Sequence, residues 1–152
     1  MKKTYFFFVA FGLWAIATAV SQPRETPHVS EGTPILTGTS DDRHALEIIE
    51  RSCQNCHSAN TKWPAYSRLF PISMLIQHDV REARAHMNLS EWQHYDKDAQ
   101  SRYLAEIGSV VRNHIMPPSR YTALHPEAKL SPEEVDSIYQ WTRTNRQALR
   151  HE

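Results

Sequence analysis

The sequence lacks an excess of either charge, a long charged run and any internal repeat. Its 17 basic and 17 acidic residues cancel, so nothing in it indicates nucleic-acid binding. Glycine is scarce, with 4 residues, and cysteine is scarcer, with 2. The hydrophobic content of 40% argues against a fully disordered chain and provides a core for one domain, the number that 152 residues suggest.

The sequence also lacks any sustained alternation of apolar and polar residues, which is the pattern of a half-buried strand. Apolar residues recur instead at helical spacing. Helices are predicted after Ser40-Asp41-Asp42, from Pro71, over about Ala99 to Asn113, and after the capping box Ser131-Pro132-Glu133-Glu134. Ser90 is expected to cap a short segment containing Trp92. The predicted fold class is all-α, a single helical domain.

The longest apolar run, Tyr5 to Val20, falls short of the ~20 residues that a membrane-spanning helix usually needs. Lys2 and Lys3 precede it, and Ala17-Thr18-Ala19 near its end fits a cleavage site, as in a secretory signal peptide. Residues 1–21 are therefore predicted to direct export to the periplasm and to be removed; an uncleaved anchor that tethers the protein to the inner membrane stays open. Residues 22–39 are predicted as a flexible linker and residues 40–152 as the domain.

The two cysteines stand in the run Cys53-Gln54-Asn55-Cys56-His57. Two thiols separated by two residues on a helical turn can add across both vinyl groups of one porphyrin, and the next histidine can ligate its iron. In an exported chain this motif predicts one covalently attached haem c, with Cys53 and Cys56 as attachment points and His57 as the proximal ligand.

Three other functions of the motif have less support in the sequence. A thioredoxin-like redox pair would require a βαβ pattern, which the sequence does not show. A structural zinc site would need a fourth ligand elsewhere and more usual spacings. A plain disulfide in a small loop also stays open.

The second axial ligand of the haem iron has several candidates in the sequence. Met116 is the first choice, because it lies between a predicted helix and two prolines, and a thioether raises the reduction potential relative to a second imidazole. His78, on the second predicted helix, is the alternative. His114 is less favoured, Met74 and Met87 are expected to be packing residues, and His86, His94 and His125 are expected to face solvent or make local hydrogen bonds.

Several motifs together resemble the bacterial haem-binding domain family of small exported c-type proteins. They are Cys53-Gln54-Asn55-Cys56-His57-Ser58, Trp63-Pro64-Ala65-Tyr66-Ser67, Pro71-Ile72-Ser73, Asn88-Leu89-Ser90-Glu91-Trp92, Met116-Pro117-Pro118 with Tyr121, and His125 to Ser131. The resemblance implies one covalent haem on a fold similar to cytochrome c, with Met116 in the distal ligand loop. One departure is Ala83-Arg84, where the family often has Gly-Arg; it is expected to tighten the helix without touching the haem.

Aromatic residues are candidates for the pocket wall. Trp63, Tyr66, Tyr121 and Trp141 could each contact a flat apolar cofactor, and core packing is the alternative for each.

The function expected from these features is electron transfer, which needs two strong ligands and redox partner proteins but no catalytic constellation. The protein is accordingly not expected to be an enzyme. A haem enzyme or gas sensor with an open or displaceable distal site is the alternative, with His78 or His114 beside the bound molecule. A third possibility is a non-redox role, in which the covalent haem stabilises a domain that binds a partner protein.

Overall fold

The structure, a computed structural model, describes residues 2–23, 36 and 43–151. The regular elements in these ranges are all helical, which confirms the predicted fold class. The α-helices are α1 (Lys2–Val20), α2 (Arg43–Ser52), α3 (Gln54–His57), α4 (Ile72–His86), α5 (Lys97–Arg112), α6 (Ser119–Thr122) and α7 (Pro132–His151). Short 3₁₀ helices occupy Ala65–Arg68, Leu89–His94 and Pro126–Ala128.

The core is centred on α5 and α7, which make the most extensive contact between the described helices, and α2 packs against α7. Apolar residues at helical spacing supply it: Leu104, Ile107 and Val111 from α5 and Val135, Ile138 and Trp141 from α7, all buried. Ile48 and Ile49 of α2 complete this cluster. Burial of one such stripe per helix holds the three helices together.

The start of α7 shows the predicted capping box. The Ser131 hydroxyl accepts a hydrogen bond from the Glu134 amide at 3.2 Å, and the Glu134 carboxylate accepts one from the Ser131 amide at 2.9 Å. Glu134 also pairs with Arg51 at 2.8 Å. The same carboxylate therefore fixes the beginning of α7 and joins it to the end of α2.

The predicted cap at Ser90 is wrong. Asn88, in an extended conformation, precedes the 3₁₀ helix Leu89–His94, and its side chain accepts a hydrogen bond from the Ser90 amide at 3.1 Å. The Ser90 hydroxyl instead accepts one from the Ala59 amide at 3.1 Å. Ser90 thus ties this segment to the loop that follows α3.

Only part of the predicted leader and linker is described. Within residues 2–23 and 43–151, no helix is long and apolar enough to cross a membrane. Leu36, inside the predicted linker, is 1% exposed and its amide donates to the Leu89 carbonyl at 3.2 Å. The predicted cap residues 40–42 of α2 lie outside the described residues.

Candidate functional site

A cavity of about 570 Å³ lies between α3, α4, α5 and the chain from Met116 to His125. This volume falls within the range of roughly 300–1,000 Å³ that is usual for sites of small molecules and cofactors. Buried apolar side chains line its inner part, among them Ile49, Val80 and Val111. Large apolar side chains that also line it are exposed: Leu75 by 56% and Leu124 by 66%. A flat apolar ligand in this cavity would cover them.

The two cysteines lie on the wall of the cavity, Cys53 between α2 and α3 and Cys56 within α3. The Cys53 amide donates to the Ile49 carbonyl at 2.8 Å, which continues the hydrogen bonding of α2, and the His57 amide donates to the Cys53 carbonyl at 3.0 Å. The thiols of Cys53 and Cys56 are free. The chain therefore holds two thiols and an imidazole on one turn beside an apolar cavity.

Two alternative functions of the motif are disfavoured. Burial raises the pKa of the Cys53 thiol to about 12, and burial together with nearby Asp79 raises that of Cys56. A redox pair works through a reactive thiolate, which a raised pKa disfavours. In the described part of the chain, moreover, no three His, Cys, Asp or Glu side chains form a group that could hold a metal ion.

His57 is held in the tautomer that a metal ligand needs. Its Nδ1 lies 3.2 Å from the Met87 carbonyl oxygen. Because a carbonyl only accepts, Nδ1 carries the hydrogen and Nε2 keeps its lone pair. Burial lowers the pKa of His57, which favours the neutral imidazole.

Met116 reaches the same cavity from the loop after α5. The helix ends at Arg112, His114 takes the left-handed conformation at φ 54°, and the amides of Ile115 and Met116 both donate to the Val110 carbonyl, at 2.9 and 3.3 Å. These bonds turn the chain back and fix Met116, which Pro117 and Pro118 follow. α5 thus ends close to the predicted Asn113, at this turn rather than at the prolines themselves, and α6 begins directly after Pro118.

The other candidates for a distal ligand are placed differently. His78 lines the cavity, but its side chain is 56% exposed and its Nδ1 lies 3.1 Å from the Arg81 guanidinium. Met74 and His114 are exposed and do not line the cavity. Met87 is buried on the cavity wall, and its backbone carbonyl accepts the hydrogen bond from His57. His86 also lines the cavity, with its Nε2 2.8 Å from the Glu106 carboxylate. Of the three ligands named from the sequence, the His57 imidazole and the Met116 thioether thus lie on the wall, and His78 does so from a more exposed position.

Three of the four aromatic residues predicted for the pocket wall line the cavity: Trp63, Tyr66 and Tyr121. Trp141 does not. It is 1% exposed in the core between α5, α7 and α2, because its position on α7 continues the stripe of Val135 and Ile138.

A histidine that sequence reasoning placed outside the site belongs to its wall. His125 bonds through Nε2 to the Tyr66 hydroxyl and through Nδ1 to the Glu127 carboxylate at 3.0 Å. Tyr121 stacks on its ring, with centroids 4.4 Å apart and planes 22° apart. Local hydrogen bonds were expected of His125, but its side chain is only 16% exposed. The spacing Tyr121 to His125, one helical turn before Pro126, is the signal that could have placed the two rings together.

A polar network ties the attachment turn to the rest of the site. The Asn55 side chain donates to the Tyr121 hydroxyl at 3.0 Å, and its backbone carbonyl accepts from the Thr61 hydroxyl at 2.6 Å. Arg84 donates to the Ser58 carbonyl at 2.8 Å and to the Thr61 hydroxyl at 2.7 Å. Arg84 therefore holds the loop after the histidine. Its neighbour Ala83 lines the cavity itself, closer to the site than the sequence suggested.

Comparison with known proteins identifies the family to which the chain belongs. A protein of Escherichia coli K12 described as cytochrome c peroxidase Ccp is 32% identical over 109 residues, which are 69% of this chain and 23% of that protein. The chain thus spans about a quarter of the length of this relative. No solved structure matches. The profile of the haem-binding domain matches residues 12–144, most of the chain, and the protein therefore belongs to the haem-binding domain family.

Proposed function

We propose that the protein is an exported, periplasmic electron carrier with a cytochrome c-like domain and one haem c. Cys53 and Cys56 would hold the haem covalently, and His57 and Met116 would be its axial ligands. The observation that supports this proposal is the arrangement of two thiols, an imidazole oriented by the Met87 carbonyl and a thioether around one apolar cavity.

The residues around the cavity have separate tasks in this proposal. Cys53 and Cys56 would hold the haem through thioether bonds, each formed by addition of a thiol S–H across a vinyl group with no leaving group. The Met87 carbonyl keeps the His57 imidazole oriented, and the turn after α5 keeps the Met116 thioether in place. When bound, haem supplies one-electron exchange between ferric and ferrous iron.

The apolar wall and the sulfur ligand would set the reduction potential together. Buried side chains such as Val80 and Val111 exclude water, which disfavours the extra positive charge of the oxidised centre. A thioether, as a neutral soft ligand, also favours the reduced state. Partners would be other redox proteins, and the carrier itself would turn over no substrate.

Attachment is tested by intact mass and by the haemochrome spectrum of protein made in a host that matures haem c. The wild type is expected to carry one haem that survives denaturation. Cys53→Ala and Cys56→Ala should each give the spectrum of a single thioether bond, and the double variant should lose covalent haem. Wild-type protein without covalent haem, from cells in which a control cytochrome matures, would contradict the proposal.

A haem peroxidase or sensor is the second candidate, favoured by the similarity to a protein described as a cytochrome c peroxidase. In that function His78, on the cavity wall beside Arg81, would interact with the molecule bound at the distal side. Peroxide turnover by the wild type that His78→Ala removes, and that the exposed control His94→Ala keeps, would favour this candidate. No turnover in any of the three proteins is the result expected of an electron carrier.

A further inference from the structure

The last turns of α1 are attached to the domain by a set of hydrogen bonds. The Trp14 indole N–H donates to the Phe70 carbonyl at 3.0 Å, and the Thr18 hydroxyl accepts from the Phe70 amide at 3.4 Å. Beyond the helix, the Gln22 side chain donates to the Arg68 carbonyl at 3.1 Å. Backbone groups of Arg68 and Phe70, at the junction between the 3₁₀ helix Ala65–Arg68 and α4, thus find hydrogen-bond partners in α1 and just beyond its end.

Residues of α4 take part in the same contact. The Ser21 and Ser73 hydroxyls lie 2.7 Å apart, and the Gln77 side chain donates to the Ser21 carbonyl at 2.8 Å. Ser73 is fully buried. Removal of residues 1–21 would take Ser21 away from Ser73 and Gln77, whereas cleavage after Ala19 would leave Ser21 in place and break only the bonds of Trp14 and Thr18.

The possible cleavage site lies inside this contact. Ala17-Thr18-Ala19 is helical, its first two residues are half-buried, and the Ser21 amide closes the next turn on the Ala17 carbonyl at 3.0 Å. Cleavage after Ala19 would remove Trp14 and Thr18 from their partner Phe70.

The part of α1 from Thr4 to Leu13, where the structure describes the side chains, differs from these last turns. Its apolar side chains are exposed, with Phe7 at 70% and Phe11 at 67%, and the apolar residues Leu69 and Met74, near the attachment, are also exposed. In the sequence, Lys2 and Lys3 precede these apolar residues, and their positive charge suits anionic headgroups. An exposed apolar helix that follows basic residues in sequence fits a lipid bilayer, and insertion into the interface does not require the helix to cross it.

We infer that α1 stays on the mature protein and is the surface by which the protein binds a lipid bilayer. The contact of Trp14 to Gln22 with the domain would then hold the haem-binding domain close to the membrane. This inference replaces the signal-peptide cleavage that the sequence favoured, and it does not depend on the ligands or the redox role of the haem.

The test uses the full-length holoprotein. Its intact mass after export is expected to include the whole of α1, and the protein should float with vesicles of phosphatidylethanolamine and phosphatidylglycerol. The double variant Phe7→Ser/Phe11→Ser should keep covalent haem and lose flotation, whereas Ile115→Ser, which also removes an exposed apolar side chain, should float like the wild type.

A mass that begins at Val20 or later would overturn the inference. So would a retained α1 without flotation, equal flotation of the double variant, or a water-soluble oligomer that buries α1 between copies of the chain. The haem content read from the same mass spectrum separates these outcomes from a failure of the proposed function.

Discussion

At the scale of single residues, the sequence reveals the donor residues of the site. It does not reveal the residues that hold the wall of the site in place. Cys53, Cys56 and His57 lie in one short run of the sequence, so one turn of backbone determines their arrangement. His125 acquires its place through Tyr66, which lies 59 residues away along the chain. Contacts over such separations depend on the packing of helices, and no local pattern encodes them.

His125→Ala tests this support. The substitution removes a partly buried ring that stacks on Tyr121 and bonds to Tyr66 and Glu127, so the free energy of unfolding of the holoprotein should fall by about 1–3 kcal/mol. His94→Ala is the control, since that side chain is 79% exposed and pairs only across one turn; a change within about 0.5 kcal/mol is expected there. Equal losses in denaturant titrations of the two variants would show that the His125 network adds no stability.

At the scale of elements, helices with a long apolar stripe could be predicted and short ones could not. The stripes predicted α2, α4, α5 and α7, with α5 beginning at Lys97, where Asp96 caps it, rather than near Ala99. The helices α3 and α6 have four residues each, too few for a period to show. The loop that carries Met116 was predicted from its prolines, but its turn depends on His114 in a conformation that the sequence does not indicate.

The close contact of α5 and α7 at Gly108 allows a direct test. A Cβ at this position would lie 2.8 Å from the Thr142 hydroxyl oxygen, which is buried, and 3.3 Å from Cδ2 of Tyr139. Gly108→Ala should therefore lower the free energy of unfolding by about 1–3 kcal/mol, although alanine favours helices. Gly12→Ala, where a Cβ meets nothing within 4 Å, is the control and should cause no loss. Unchanged thermal stability in Gly108→Ala would mean that the two helices separate easily here.

The cap of α7 gives a second prediction at this scale. Ser131→Ala removes the hydroxyl that accepts from the Glu134 amide, and a loss of about 1 kcal/mol in unfolding free energy is expected. Glu134→Gln keeps a side chain that can accept from the Ser131 amide but weakens the ion pair with Arg51, so its loss should be smaller. A larger loss in Glu134→Gln than in Ser131→Ala, measured by thermal unfolding, would assign the main role to the ion pair.

At the scale of the whole molecule, the cavity leaves exposed apolar side chains that a bound haem would cover. Its position follows from the packing of α3, α4 and α5 around the attachment turn, which the sequence could not supply even though seven predicted site residues line it. These residues are Cys53, Cys56, His57, Trp63, Tyr66, Met116 and Tyr121.

Haem should accordingly stabilise the fold. The same wild-type chain, made with and without the haem c maturation machinery, is expected to differ: the haem-free form should melt at a lower temperature and bind more of a dye for apolar surface. Leu75 and Leu124 are the exposed side chains that this ligand would cover. Identical melting and dye binding of the two forms would place the haem outside the cavity.

The most direct test of the central claim, ligation of a covalent haem by His57 and Met116, is the absorption spectrum of the ferric holoprotein. The wild type is predicted to show a low-spin spectrum with the weak long-wavelength band of iron–thioether ligation. Met116→Ala should lose that band, whereas Met74→Ala, whose side chain is 59% exposed and outside the cavity, should keep it. A wild-type spectrum without the band, or one that Met116→Ala leaves unchanged, would contradict the claim.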